Sequence, residues 1–157
     1  MVPVVVACQT IGNSHRVACF DEEATGYQQA DDRGLSMGSV TLTLPARPEY
    51  VHIARSVAAG LAAKAEMTLD DIEDIRLAVD EACTHLLAHS HAELLRLELA
   101  RSGGAFEIVA QIDAVIDDGN GSGDASISWR ILEALADSVL LERDAGSAAI
   151  RMSKRIS

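Results

Sequence analysis

The sequence predicts a two-layer α+β sandwich in which helices cover one face of a mainly antiparallel sheet. Short runs of alternating apolar and polar residues are joined by tight turns, and three longer segments repeat apolar residues at helical spacing. The order is strand, helix, helix, strand, strand, helix, strand, strand. Strands joined by short turns pair antiparallel, and helices with a single apolar stripe need a sheet face to cover it.

The length and composition fit one domain with an aliphatic core. The chain has 157 residues, of which 48% are hydrophobic and only 3% aromatic. Asp and Glu number 24 against 13 Lys and Arg, so the formal charge is −11. This charge disfavours direct binding to nucleic acid or to an anionic membrane and favours a basic protein partner. Three cysteines without a CxxC pair, and an apolar start too short for a leader or a membrane span, predict a cytoplasmic protein.

Two regions of the chain differ in their patterning. Residues 1–38 show no sustained period and include a polar, acidic run, which predicts a largely flexible N-terminal extension with one short strand at Val4–Ala7. Residues 39–157 form the predicted domain. Its first strand alternates Val40, Leu42 and Leu44 with polar residues and ends at Pro45.

Two helices are predicted next. The first follows Pro48 and carries one apolar stripe, formed by Ile53, Ala54, Val57, Ala58, Leu61 and Ala62. The second begins after Thr68, and Asp71 stands where a capping box places its acidic residue. Cys83 lies on the apolar face of this second helix and is predicted to be inert packing. The rest of that buried face is Ile72, Ile75, Val79, Ala82, Leu86 and Leu87.

The remainder of the chain predicts two hairpins and a third helix. Alternating runs on either side of Ser102-Gly103-Gly104 form the first hairpin, at residues 95–99 and 106–112. A loop rich in Gly and Asp follows, and the closing hairpin spans residues 138–152. The third helix lies between them, and Trp129 belongs to its buried stripe, which comprises Trp129, Leu132, Leu135, Ala136 and Val139.

The segment Asp74–His89 (DIRLAVDEACTHLLAH) carries the functional information. It resembles the N-box helix of the GHKL (Bergerat-fold) ATPases, and more narrowly the serine-kinase anti-sigma factors of the RsbW type. The chain is particularly similar to the degenerate actinobacterial sporulation and stress anti-sigma factors. The resemblance runs from Ser39 to the C-terminus. It includes the strings Leu44-Pro45-Ala46, Pro48-Glu49, Ala54-Arg55, Leu135-Ala136-Asp137-Ser138-Val139 and Gly146-Ser147.

The resemblance implies a nucleotide site on the N-box helix, but one family residue is replaced. Glu81 matches the family's catalytic base, and His89 matches its last histidine. The Asn that ligates Mg²⁺ in the family is His85 here. Mg²⁺ prefers oxygen ligands in octahedral geometry, so an imidazole is a poor replacement. Glu81, His85 and His89 lie one helical turn apart, and we expect them to form a partly solvated remnant of this site.

The adenine and phosphate motifs also depart from the family. The family's Asp-x-Gly-x-Gly motif falls at Ile112 or Asp113, where no glycine follows in register. The string Asp117-Asp118-Gly119-Asn120-Gly121 satisfies the motif a few residues later, so Asp117, Gly119 and Gly121 are candidate cofactor ligands together with His85 and His89. Ser126 and Ser128 replace the glycines that cradle phosphate. We therefore expect a degenerate site that has lost ATP binding and phosphoryl transfer, with no cofactor.

The resemblance also implies function through protein partners. In the family, the arginine that matches Arg55 contacts both the sigma factor and the competing anti-anti-sigma protein. Arg55 is therefore the first candidate for partner binding, together with Glu49 and His52. The implied function is that of an anti-sigma factor. It sequesters an alternative (stress or sporulation) sigma factor, is relieved by a STAS-type anti-anti-sigma factor, and dimerises through the sheet and the first-helix region.

Two alternatives remain open. The first is an active serine kinase that phosphorylates its anti-anti-sigma partner, with ATP and Mg²⁺ as cofactors and Glu81 as the base. The second is a metal-dependent hydrolase whose zinc ligands come from Glu81, His85 and His89, with His91 nearby. The sequence lacks the HExxH order of zincins, so we predict no metal site.

Overall fold

A computed structural model describes residues 5–9, 38–116 and 127–156, and in the first of these ranges only the backbone. Within them lies one six-stranded sheet in the order β1-β2-β3-β4-β6-β5, with every neighbouring pair antiparallel. The strands are β1 (Val5–Gln9), β2 (Ser39–Pro45), β3 (Leu94–Ser102), β4 (Ala105–Ile112), β5 (Ser138–Asp144) and β6 (Ser147–Arg155).

Helices cover one face of this sheet. They are α1 (Val51–Lys64), α2 (Leu69–Ala88) and α3 (Ile127–Leu135), and α2 packs against both of the others. Helix α2 also lies on β4 and β6, while α1 contacts β3 and α3 contacts β5. The predicted two-layer α+β fold is therefore confirmed.

Strand alternation places the core between the two layers. On β4, Phe106, Ile108, Ala110 and Ile112 are buried under the helices, while Glu107 is exposed on the other face. Strand β3 follows the same pattern with Leu95, Leu97 and Leu99. Because aromatic residues are few, most of the buried hydrophobic residues are Leu, Ile, Val and Ala.

The connections between elements follow from local chemistry. Thr68 caps α2, since its hydroxyl oxygen accepts a 3.2 Å hydrogen bond from the Asp71 backbone N–H, as the sequence predicts. Gly103 and Gly104 form the β3–β4 turn with φ of +55° and +82°, values that glycine adopts without strain.

Several boundaries differ from the sequence prediction. The first strand is Val5–Gln9, not Val4–Ala7, and Pro48–Tyr50 forms a 3₁₀ turn before α1 begins at Val51. Helix α3 ends at Leu135, so Val139 belongs to β5 and not to the helical stripe. The reason is that the Asp137 N–H bonds to the Ser153 carbonyl, which turns the chain into the sheet. Among the described residues, no helix is long and apolar enough to cross a bilayer.

Candidate functional site

Helix α2 and its C-cap carry the three residues predicted from the N-box resemblance. Glu81 and His85 lie one turn apart on this helix, and His89 follows one turn later as its C-cap residue. The helix is fixed at its start by the Thr68 cap and by acidic residues in its first turn, which favour the helix dipole. Its middle is fixed by its position between α1 and α3 and over β4 and β6.

His85 is buried, so the expected partial solvation of the stripe holds for Glu81 and His89 but not for His85. Its residue surface is 2% exposed, whereas Glu81 and His89 are half-buried. The ring centroid of His85 lies 4.7 Å from that of His89 and 6.5 Å from that of Trp129. The physical reason for the burial is that α3 packs against α2 and brings the indole alongside the imidazole.

Trp129 and His89 complete this cluster. Trp129 is 5% exposed, so the prediction that it belongs to the core is confirmed, and its indole N–H donates to Glu133 Oε1 at 3.1 Å. His89 Nδ1 lies 2.8 Å from the His85 carbonyl oxygen. This contact holds the His89 ring against the last turn of α2. The arrangement is an aromatic and imidazole cluster between two helices.

The residues on α2 do not fit the metal–nucleotide complex that the N-box implies. Mg²⁺ prefers oxygen ligands, and His85, which matches the family's Asn by resemblance, is a buried imidazole packed beside an indole. Asp117, Gly119, Gly121 and Ser126 lie outside the described residues, so the predictions that involve them stand as predictions. In the part of the chain that the structure describes, no three His, Cys, Asp or Glu side chains form a metal-binding group.

The predicted partner-binding residues lie together at the start of α1. Glu49 and His52 are exposed, and His52 Nδ1 lies 2.7 Å from the Glu49 carbonyl oxygen. Arg55 follows one turn later, with 35% of its side chain exposed. These residues form one accessible face, which we call the α1 face (Glu49, His52, Arg55).

Sequence reasoning missed the residue that holds Arg55. Asp80 on α2 accepts a 3.3 Å hydrogen bond from Arg55 Nη1, across a separation of 25 positions in the chain. Asp80 stands directly before Glu81, so this contact links the α1 face to the helix of the N-box. No local sequence signal indicates such a pair, because it depends on how α1 and α2 pack.

A second polar cluster ties three elements together. Lys154 on β6 donates to Asp74 Oδ2 at 2.8 Å and to the Leu135 carbonyl oxygen at 3.0 Å, and it lies 3.6 Å from Asp71 Oδ1. Burial lowers the pKa of Lys154, but the bond to Asp74 and the charges of Asp74, Asp71 and Asp137 leave it above its usual value. The acidic start of α2 is thus partly neutralised from within the chain.

Cys83 behaves as the sequence predicts. It is fully buried on α2, and burial, followed by the charge of Asp80, raises the pKa of its thiol to about 12. A thiol that stays protonated is a poor nucleophile and a poor metal ligand, so Cys83 is packing.

Comparison with known proteins agrees with the geometry. The model of the family described as histidine kinase-like ATPase domain matches residues 44–154. The serine-protein kinase RsbW of Bacillus velezensis is 35% identical over 89 residues, covering 57% of this chain and 54% of that protein. The RsbW protein of Bacillus subtilis is 37% identical over 81 residues, covering 52% and 50%. The chain thus spans about half the length of these relatives.

A solved structure supports the fold. The RsbU and RsbW domains of Rv1364c from Mycobacterium tuberculosis superimpose with a TM-score of 0.61 at 17% identity, covering 75% of this chain and 32% of that one. At this identity the similarity concerns the fold alone. The family match from β2 to β6, together with the N-box helix in the position described above, shows that the chain belongs to the histidine kinase-like ATPase domain family.

Proposed function

We propose that this protein is an anti-sigma factor that sequesters an alternative sigma factor of the stress or sporulation type. A STAS-type anti-anti-sigma factor relieves it by competing for the same surface. Sequence similarity to RsbW proteins and the accessible α1 face both support this proposal.

The α1 face has the chemistry of a protein-docking surface. The Arg55 guanidinium is held at one nitrogen and half-exposed, and arginine pairs well with carboxylates of a partner. The net charge of −11 favours encounter with a basic partner domain, an effect that is screened at physiological salt. Long-range charge thus brings the partner near, and Arg55 supplies a specific contact.

The observation that carries the non-catalytic part of the proposal is the burial of His85. An imidazole that is 2% exposed beside Trp129 takes the place of an oxygen ligand for Mg²⁺. Phosphoryl transfer depends on a metal that bridges the phosphates. We therefore propose a degenerate nucleotide site, with Glu81 as a remnant of the family's base.

A binding experiment tests the anti-sigma function. The purified chain is used to capture purified sigma factors of the stress and sporulation classes, and the affinity of any complex is then measured for Arg55→Ala. Because interface arginines are frequent hot spots, we expect a loss of about tenfold or more. Arg130→Ala, at an exposed arginine on α3, is the matched control and should bind as the unmodified chain does. Failure to capture any sigma factor contradicts the proposal.

The second candidate is an active serine kinase, which the similarity to the serine-protein kinases RsbW favours. Thermal melting with and without Mg-ATP separates the two. A site with micromolar affinity at millimolar nucleotide stabilises the fold by about 4 kcal/mol. We expect no shift, because His85 lacks the ligand chemistry for Mg²⁺. A clear shift that is enhanced in His85→Asn supports the kinase instead.

Assembly and compartment complete the proposal. We infer a cytoplasmic homodimer that forms through the sheet and the first-helix region, as the family resemblance implies. Light scattering coupled to size-exclusion chromatography measures the mass directly against 16.7 kDa for one chain. A monomer at all accessible concentrations refutes this part and leaves sigma binding to be judged by the capture experiment.

A further inference from the structure

An ion pair bridges α1 and α2 beside the α1 face. Arg55 Nη1 lies 3.3 Å from Asp80 Oδ1, and each side chain is 35% exposed. The two residues are 25 positions apart, so the contact exists only when the two helices are packed together. It also gives the α1 face a polar contact with α2.

The geometry leaves most of the guanidinium available. Arginine carries several N–H donors in one rigid plane, and Asp80 occupies Nη1 alone among them in the described part of the chain. Fixing one nitrogen of a planar group restricts the orientation of the whole group. The edge formed by Nε and Nη2 can pair with a carboxylate through two parallel hydrogen bonds without using Nη1.

We propose that Asp80 is a positioning residue for partner recognition: it holds Arg55 so that the free edge of the guanidinium meets a carboxylate of the partner. This inference rests on the proposed function. An unrestrained arginine loses rotamer freedom when it binds, and a restrained one has lost that freedom already. Asp80 thus contributes to affinity without touching the partner.

The competing view is that Asp80 blocks Arg55, because its negative charge repels a partner carboxylate and its oxygen occupies a donor. The two views predict opposite results for one substitution. Asp80→Ala removes both the hydrogen bond and the charge, so positioning predicts weaker binding and competition predicts tighter binding. Asp80→Asn keeps an oxygen acceptor and removes the charge, so positioning predicts that binding is retained.

The affinity experiment uses the sigma factor captured by the unmodified chain. We expect Asp80→Ala to raise Kd about three- to tenfold, the range for one immobilised side chain, and Asp80→Asn to stay within about twofold or bind more tightly. Glu142→Ala is the matched control, because it removes another 3.3 Å arginine–carboxylate pair, Arg151–Glu142, on the opposite face of the sheet. It should leave Kd unchanged. Equal or tighter binding by Asp80→Ala overturns the proposal.

A partner-free readout separates this proposal from the proposed function. In ¹⁵N NMR spectra of the unbound chain, the Arg55 side-chain signal should show restricted motion in the unmodified chain and in Asp80→Asn, and free motion in Asp80→Ala. Equal mobility in all three overturns the positioning role whether or not a sigma factor binds. Restricted motion together with failure to capture any sigma factor refutes partner recognition and the proposed function together. Melting curves confirm that each variant is folded.

Discussion

Glu66 is the one residue other than glycine with positive φ among the described residues, at +62°. It follows α1, where the Met67 N–H bonds to the Ala62 carbonyl and the Glu66 N–H to the Ala63 carbonyl. This is the pattern of a Schellman motif, whose left-handed position usually holds glycine. The backbone at Glu66 is therefore strained for a side chain of ordinary type.

Glu66→Gly should stabilise the fold. Relief of the left-handed strain raises the free energy of unfolding by about 1–2 kcal/mol. The greater conformational freedom of glycine in the unfolded chain lowers it by about 0.5–1 kcal/mol. The expected gain is about 0.5–1 kcal/mol, measured by urea unfolding. Ala63→Gly, in the last turn of the same helix, is the control and should lose about 0.5–1 kcal/mol. A loss of stability in Glu66→Gly shows that the side chain makes a favourable contact.

His85 shows which properties of the site the sequence can predict and which it cannot. The sequence identifies the position and the mismatch with Mg²⁺, because both depend on side-chain chemistry and helical spacing. It does not indicate burial, because the covering indole comes from α3, more than a third of the domain away in sequence. The stripe is thus correctly placed on α2 and its C-cap, and the expected partial solvation holds for Glu81 and His89 but not for His85.

At the scale of elements, Lys154 joins β6 to the start of α2 and the end of α3. Its ammonium contacts Asp74, Asp71 and the Leu135 carbonyl, and its side chain is 16% exposed. A partly buried ammonium group stabilises the fold only while its carboxylate partners remain, because removing one member of the cluster leaves the opposite charge without compensation. The acidic start of α2 therefore serves packing between elements as well as the helix dipole.

Lys154→Met should destabilise the fold by about 1–2 kcal/mol, since charge-assisted hydrogen bonds are lost and Asp74 is left without its cation. Urea unfolding near neutral pH measures the change. Arg155→Met is the matched control in the same strand. Its ion pair with Asp137 is formed by a side chain that is 82% exposed, so we expect a change of about 0.5 kcal/mol or less. Equal effects in the two variants contradict the role assigned to Lys154.

The boundaries of elements follow local signals only in part. The Thr68 cap and the glycine turn between β3 and β4 are local features, and the sequence predicts both. The end of α3 cannot be predicted from local features. The apolar spacing continues through Ala136 to Val139, although α3 ends at Leu135 and Val139 already belongs to β5. There the hydrogen bond from Asp137 N–H to Ser153 overrides helical periodicity.

For the whole molecule, patterning predicts the two layers but not the order of the sheet. Hairpin signals predict that β3 pairs with β4 and β5 with β6, and both pairs are observed. The insertion of β6 between β4 and β5, and the pairing of β2 with β3 across two helices, depend on long-range packing. The same holds for the candidate site. The resemblance identifies Arg55 from the sequence, whereas its pairing with Asp80 depends on how α1 and α2 pack.

Two groups at the junction of α3 and β6 should limit stability at opposite ends of the pH range. The Arg155 backbone N–H, 2.7 Å from Asp137 Oδ2, and then the Arg155 side chain hold the pKa of Asp137 below its usual value of 3.8. A lowered carboxyl pKa stabilises the fold above the unfolded value, and the contribution is lost as pH falls through the folded value. Lys154 has the opposite sign, because its raised pKa stabilises the fold below 10.5 and is lost as pH rises further.

Difference profiles isolate each contribution, because the chain carries 24 acidic residues whose protonation overlaps at low pH. The free energy of unfolding is measured against pH for Asp137→Asn and Lys154→Met and subtracted from that of the unmodified chain. We expect the Asp137→Asn difference to shrink toward zero as pH falls below about 3.8, and the Lys154→Met difference to shrink as pH rises above 10.5. If the Asp137→Asn difference stays constant at low pH, or the Lys154→Met difference at high pH, that side chain stabilises the fold through packing and not through its charge. In that case the junction of α3 and β6 would keep its stability at the extremes of pH.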